Sequence, residues 1–419
     1  MKLIRTFGRT AKAAELAIQS LEARGSASTA SVEPTVRSIL ASIKKDGDKA
    51  LTKYATKFDG LIKDQSLVVT KEEMQAAWNA TSPTLQLAMK TAQANIRAFA
   101  EAQKAKEWMT SPSEGVTTGQ IVRPLSSVGC YVPGGRYPLP STLLMTATPA
   151  QVAGVARIVV CSPNPAPETL AAAHLAGVTE FYRIGGAQAI AALAYGTESI
   201  TAVNKIVGPG NLYVTAAKQL VSAICGIDMP AGPTEIVVTS ELLEPQAIAA
   251  DLVAQAEHDP ETLAVFITTN EALGKQVAAE VKLQTKSNPL AKQSIAARGH
   301  IFVTKSVTEA HQLTNRLAPE HLTVDTLADL AWVQNAGSVF VGPFAPQAMG
   351  DYISGPNHVL PTGRNGRIRG GLSVMDFVKI ITVQQYTRKG LRTLGPHTAA
   401  MADAEGLTGH AASVRMRMK

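Results

Sequence analysis

The chain has 419 residues, 45% hydrophobic and 17% charged, which is the composition of a globular protein and excludes wholesale disorder. Aromatics at 5% argue against a stacking platform for single-stranded nucleic acid. The net charge of +7 is thinly spread: the densest basic stretch, Arg364 to Arg369, has three arginines and reads as a solvated or anion-facing loop, not a nucleic-acid contact.

In chain order, the N-terminus lacks an uninterrupted apolar signal core and a small-residue cleavage site, and no stretch of 18 apolar residues occurs anywhere. A mature, cytoplasmic protein that neither spans nor binds a membrane is expected. The first 125 residues read mainly as helix, over Val32 to Phe58 and Lys71 to Trp108, interrupted near Pro83. From Val122 the texture changes to a strand running into a Gly-Pro loop. Short apolar strands then alternate with helices. Strands are expected at 157–161, 180–184, 205–207, 235–239, 263–268, 300–303, 322–325 and 338–342. Helices are expected around 143–153, 168–176, 188–195, 212–224, 245–258, 271–283, 307–317 and 327–335. This rhythm predicts parallel sheets with helices on their faces, in two α/β blocks joined near Met229 to Pro233. The tail from Leu372 reads as helical. No repeated residue motif marks an internal duplication. The three cysteines, Cys130, Cys161 and Cys225, are widely spaced and form no CxxC, so a reducing compartment and core roles are expected.

Three glycine joints lie at strand ends: Pro133-Gly134-Gly135, Gly185-Gly186-Ala187-Gln188 and Gly208-Pro209-Gly210-Asn211. The last two each follow a strand and open a helix, a geometry that offers backbone N–H groups to a phosphate. None is a complete dinucleotide fingerprint, and one alone reads more readily as a tight turn, whereas three in one sheet point equally to a dinucleotide crevice at the carboxyl ends of the strands. In Gln255-Ala256-Glu257-His258, Gln255 and His258 share one helix face, where a carbonyl oxygen and an imidazole could hold a metal; an exposed polar face is the alternative. Glu320-His321 at a helix-to-strand joint suits proton transfer, or a capped surface turn. The loop from Gly350 to Thr362 combines turn residues with Asp351, Asn357 and His358 and suits ligand contact. Glu405 and His410 stand near the C-terminus; His174, His300, His311 and His397 read as structural.

These segments together resemble the histidinol dehydrogenase family. The motifs SSVGCYVPGG, GGAQAIAALAYGTESI, KIVGPGNLYVTAAK, IDMPAGPTEIVV, DLVAQAEHDP, LAPEHL, GDYISGPNHVLPT and LTGH follow one another across nearly the whole chain. The resemblance implies two Rossmann-like parallel-sheet domains with small helical N- and C-terminal units. The division expected with it is a helical dimerisation segment at 1–21, a discontinuous α/β domain from 22–130 with 236–371, an NAD-binding α/β domain at 131–235, and a helical tail at 372–419. It implies oxidation of L-histidinol to L-histidine through L-histidinaldehyde with two NAD⁺, the last step of histidine biosynthesis. It further implies one zinc (or manganese) per subunit on Gln255, His258, Asp351 and His410, and catalysis by Glu320 and His321. Substrate contacts fall on Thr234, Gln255, His258, His321, Asp351, His358, Glu405 and His410, and NAD contacts on Tyr131, Gln188 and Asn211. The family is homodimeric, with Glu405 and His410 crossing into the partner's site. Thr234 stands where serine is common and keeps the hydroxyl; Gly409 stands where alanine is frequent. Two other readings fit the same residues: a paralogue oxidising another amino or sulfo alcohol, and a non-catalytic NAD- or metal-binding regulator.

Overall fold

A computed structural model describes every residue except Ala27, Ser28, Lys63, Asp64, Gly135, Arg136 and Ala231. Gly135 of the first glycine joint therefore lies outside the described residues. The chain opens with strand β1 (Lys2–Arg5) and helix α1 (Ala11–Glu22), then α2 (Glu33–Phe58), the short β2 (Val68–Val69), α3 (Lys71–Ala80) and α4 (Pro83–Ala102). A hairpin of β3 (Trp108–Ser113) and β4 (Val116–Pro124) follows. The first alternating run is β5 (Ser127–Tyr131), α5 (Pro140–Ala153), β6 (Arg157–Cys161), α6 (Pro167–Leu175), β7 (Glu180–Tyr182), α7 (Gly186–Tyr195), β8 (Lys205–Val207), α8 (Leu212–Val221) and β9 (Gly226–Ile227). The second is β10 (Glu235–Thr239), α9 (Pro245–Ala256), β11 (Leu263–Thr268), α10 (Glu271–Gln284), α11 (Pro289–Arg298), β12 (Gly299–Val303), α12 (Val307–Leu317), β13 (His321–Val324) and β14 (Ser338–Val341). The chain closes with α13 (Gln347–Tyr352), β15 (Val378–Tyr386), α14 (Arg388–Ala404) and α15 (Thr408–Met418).

The two runs build two six-stranded sheets, in the orders β2-β7-β6-β5-β8-β9 and β1-β12-β11-β10-β13-β14. The orders are the same when each run is counted from its own first strand: 3-2-1-4-5, with one extra strand beside the third. The first five are the doubly wound arrangement in which strand order reverses between strands 1 and 4. The extra strands differ: β1 joins in parallel and β2 antiparallel. The duplication absent from residue motifs is therefore present in topology. The central strands β5, β10 and β11 are buried along their whole length, as continuous apolar runs covered on both faces must be. Helices α2, α7 and α8 cover one face of the first sheet and α3 to α6 the other. The second sheet lies between α9 to α11 on one side and α1 with α12 on the other.

The strands do not follow the expected division at residues 130 and 131, which would cut β5. Helices α2 to α4 and the whole of β5 belong with the 131–235 sheet, because their apolar faces are buried mainly against it, with Val359 joining the edge of that core. Nor are the terminal units purely helical. Residues 2–5 form the edge strand of the second sheet, and 378–386 pair antiparallel with β4 in a three-stranded sheet β15-β4-β3. Residues 327–331 form a 3-10 turn in place of a full helix over 327–335.

Candidate active site

One cleft opens at the carboxyl ends of the first sheet. It encloses about 630 Å³ and is lined by Asp59, Tyr131, Asn164, Gln188, Asn211 and Tyr213 among others. Tyr131, Gln188 and Asn211 are thus brought together. Each is fixed locally. The Asn211 side chain caps α8, accepting from the N–H groups of Tyr213 (3.0 Å) and Val214 (3.2 Å). The Tyr131 hydroxyl accepts from Gly186 N–H at 3.1 Å, and burial pushes its pKa up. Gln188 Nε2 donates to Asp59 Oδ2 at 2.9 Å. Asp59 also accepts from Gly185 N–H at 2.9 Å, and burial raises its carboxyl above the usual range.

The glycine joints do not offer the open N–H groups expected of them. Gly185 is bound to Asp59, Gly186 to Tyr131, and Gly208 N–H to Asp228 Oδ2 at 2.7 Å. Asp228 is itself paired with the buried Lys218, whose ammonium donates to Gly208 O at 3.0 Å. Gly208 has φ +116°, and a Cβ there would strike the Tyr131 carbonyl, so the glycine serves a close backbone approach. At the carboxyl end of the second sheet a glycine turn follows β14, where Gly342 has φ +85° and its N–H donates to Val324 O at 2.9 Å. There, Asp325 takes the Ser240 hydroxyl and Glu241 N–H, while Glu241 takes the Thr268 hydroxyl at 2.9 Å and Thr269 N–H.

The polar cluster gathers instead at the amino ends of β10 and β13, where 234–235 and 320–321 lie side by side. Glu320 is buried. Its Oε2 accepts from the Thr234 hydroxyl (2.5 Å) and from Glu235 N–H (2.8 Å). Since the Thr234 proton goes to that carboxylate, its oxygen must accept from Gln255, whose Nε2 it contacts. This fixes the amide and leaves the Gln255 carbonyl oxygen facing away from Thr234. His321 donates Nδ1–H to Glu235 O at 3.2 Å, so Nε2 is its proton-accepting face. That nitrogen lies 3.6 Å from Asp351 Oδ1, and the ring stacks on Phe340. Burial alone would lower the His321 pKa, but the Glu320 and Asp351 carboxylates outweigh it and push it up to about 10. Burial would likewise raise Asp351, yet the positive fields of His321, His358 and His258 hold it below its ordinary value.

His358 connects the two halves. Its Nδ1–H donates to Asp351 O at 2.7 Å, and Nε2 lies 3.1 Å from the Thr142 hydroxyl on α5. Asn357 Nδ2 donates to Met145 O on the same helix at 2.6 Å. A pocket of about 290 Å³ opens here, lined by His321, Phe340, Gly350, Asn357 and His358.

Helix α9 stops at Ala256, so His258 is not on its face. It is exposed just beyond the helix end, within electrostatic reach of Asp351. Glu405 and His410 are exposed on the C-terminal unit and join none of these groups within the chain. Among the described residues, no three His, Cys, Asp or Glu side chains form a complete metal cage. Oxygen from Gln255 and Asp351 with nitrogen from His258 is nevertheless a donor set that suits zinc or manganese and lacks a fourth ligand. The 364–369 loop departs in part from the solvated reading: Arg364 pairs with Glu22, and Arg369 with Asp376 and the Asp228 carbonyl, while Arg367 is exposed. The functional neighbours that sequence reasoning missed are Asp59, Asp228 and Glu235.

A dinucleotide-sized cleft on one doubly wound sheet and a buried carboxylate–imidazole pair on its topological twin define a two-domain α/β oxidoreductase. The family model for histidinol dehydrogenase matches residues 22–418. Histidinol dehydrogenase of Bacillus cereus (strain ATCC 10987 / NRS 248) is 46% identical over 399 residues, 93% of each chain. That of Methanothermobacter thermautotrophicus is 43% identical, covering 92% of this chain and 93% of its own. The crystal structure of histidinol dehydrogenase from Elizabethkingia anophelis superposes with a TM-score of 0.93 at 35% identity, covering 100% of this chain and 98% of its own. The chain belongs to the histidinol dehydrogenase family. No helix among the described residues is long and apolar enough to cross a membrane.

Proposed function

We propose that the protein oxidises L-histidinol to L-histidine by way of the aldehyde, a four-electron reaction in two hydride transfers, as the last step of histidine biosynthesis. The observation that carries this reading is the unbroken run of contacts from Gln255 through Thr234, Glu320, His321 and Asp351 to His358, in a chain of this family. Bound NAD would supply the hydride acceptor and bound zinc a fixed charge that anchors the substrate's amino and imidazole nitrogens.

The residues divide the work as follows. His321, whose Nδ1–H is held by Glu235 O, would take the alcohol proton at Nε2 as hydride leaves the carbinol carbon, once metal on Asp351 had relieved the carboxylate field that otherwise keeps that nitrogen protonated. Glu320 would take a proton from the water that adds to the aldehyde, giving the hydrate from which the second hydride departs. Thr234 holds both Glu320 and the Gln255 amide, so the base and one metal ligand share a hinge. His358 would line the substrate against α5. Gln255, His258 and Asp351 would hold the metal, and His410 of a second copy would complete it, with Glu405 beside the substrate's ammonium. Tyr131, Gln188 and Asn211 would contact NAD in the first-sheet cleft. A homodimer belongs to the same reading, because Glu405 and His410 are exposed on the C-terminal unit and meet none of the other proposed ligands within the chain.

The test is NAD reduction with L-histidinol, with and without a chelator. Turnover that disappears on chelation and returns with zinc supports the reading. Absence of turnover with histidinol but activity on another amino or sulfo alcohol would replace it.

A further inference from the structure

We propose that Arg24 is a positioning residue for the Glu320–His321 pair, acting through Glu235; this rests on the roles proposed above for those two residues. The backbone of Glu235 touches both groups, its N–H donating to Glu320 Oε2 at 2.8 Å and its C=O accepting from His321 Nδ1–H at 3.2 Å. Whatever fixes residue 235 therefore fixes both proton-transfer groups together. Its side chain is clamped by the Arg24 guanidinium in a two-point fork, Nε to Oε1 at 2.7 Å and Nη2 to Oε2 at 2.8 Å. Gly363 N–H adds a third bond to Oε1 at 2.7 Å.

Arg24 is itself pinned. It donates to Leu21 O and Leu317 O, each at 2.6 Å, at the ends of α1 and α12. The pair is buried, with side-chain exposures of 10% for Arg24 and 3% for Glu235. A buried ion pair adds little net stability over an apolar replacement, whereas the planar fork fixes orientation. Here it ties α1, the end of α12 and the loop that follows His358 to the first residue of β10, from which both groups hang. A shift of about 1 Å at such a centre costs on the order of 10²-fold in rate.

The experiment uses full-length, zinc-loaded enzyme carrying Arg24→Gln, Arg24→Lys or Glu235→Gln. It measures kcat and KM with L-histidinol and separately with L-histidinaldehyde, alongside urea midpoints. Arg24→Gln is expected to lower kcat on both substrates about 10- to 100-fold while KM for histidinol moves less than about threefold. Arg24→Lys, which restores the charge without the fork, recovers part of the loss. A folded Arg24→Gln enzyme with unchanged kcat overturns the proposal, as does a loss on one substrate alone. Should Arg24→Gln not fold, Glu235→Gln decides the matter in the same way, because it keeps the side-chain shape. Unchanged kcat in His321→Asn and Glu320→Gln would instead refute the underlying roles.

Discussion

At the residue scale, the decisive groups are single atoms with few, defined partners. Glu320 accepts two hydrogen bonds on Oε2 and so stays an acceptor at the water it would activate. Glu320→Gln keeps the shape and removes the basicity. We expect it to slow aldehyde-to-acid oxidation on the order of 10²-fold or more, with zinc content unchanged. Normal histidine formation from the aldehyde would sink that role. The cysteines give a second prediction. Burial pushes the Cys130 thiol up to about 12 and Cys225 to about 11, and raises Cys161 as well. A raised thiol pKa leaves the thiolate scarce until the pH climbs towards that value, so at pH 8 the native enzyme should resist iodoacetamide and react only when unfolded. Rapid labelling of the native protein would reject core roles. Glu320, His321, Asp351 and His358 were legible because acid and imidazole sit in short motifs. Asp59 and Glu235 were not, since the partners that give them meaning, Gln188 and Arg24, are 129 and 211 residues distant.

Among elements, legibility followed burial. The central strands announced themselves through unbroken apolar runs such as Ile236 to Val238 and Leu263 to Ile267. Strands β3 and β15 did not, because they are almost wholly exposed and their sequences, WMTSPS and VKIITVQQY, lack a one-sided alternation that a core would impose. Strand β1 is only four residues long, and its place is set by β12, three hundred residues away. The glycine turns misled in the opposite direction: their spacing was right, but Gly185 and Gly208 give their N–H groups to buried carboxylates and Gly186 gives its own to the Tyr131 hydroxyl. The turn at Gly208 depends on Asp228, and Asp228 on Lys218. Lys218→Met should strand a buried carboxylate and destabilise the fold by about 3–5 kcal/mol, read from urea unfolding. A loss below about 0.5 kcal/mol would show that the pair is not what holds the turn.

For the whole molecule, the question is how a site at the amino ends of one sheet meets a tail that ends elsewhere. The two sheets share a strand order, yet the carboxyl end of the first opens into a cleft, while at that of the second Glu241 and Asp325 bind neighbouring hydroxyl and N–H groups. Duplication followed by divergence fits this asymmetry, one half keeping the cleft and the other the buried Glu320–His321 pair. The C-terminal unit has its own small core of Ala399, Ala402 and Ala411 and is tethered through β15 to β4. It presents Glu405 and His410 outward, away from its own Asp351. If His410 completes a partner's metal site, then His410→Asn should lower bound zinc by elemental analysis. Two defective enzymes should also repair each other. In a mixed dimer of Glu320→Gln and His410→Asn chains, one site receives both defects and the other receives neither. Random reassociation makes half of the dimers mixed, so about a quarter of wild-type activity should return. If each chain built its site alone, every site would carry one defect and mixing would restore nothing.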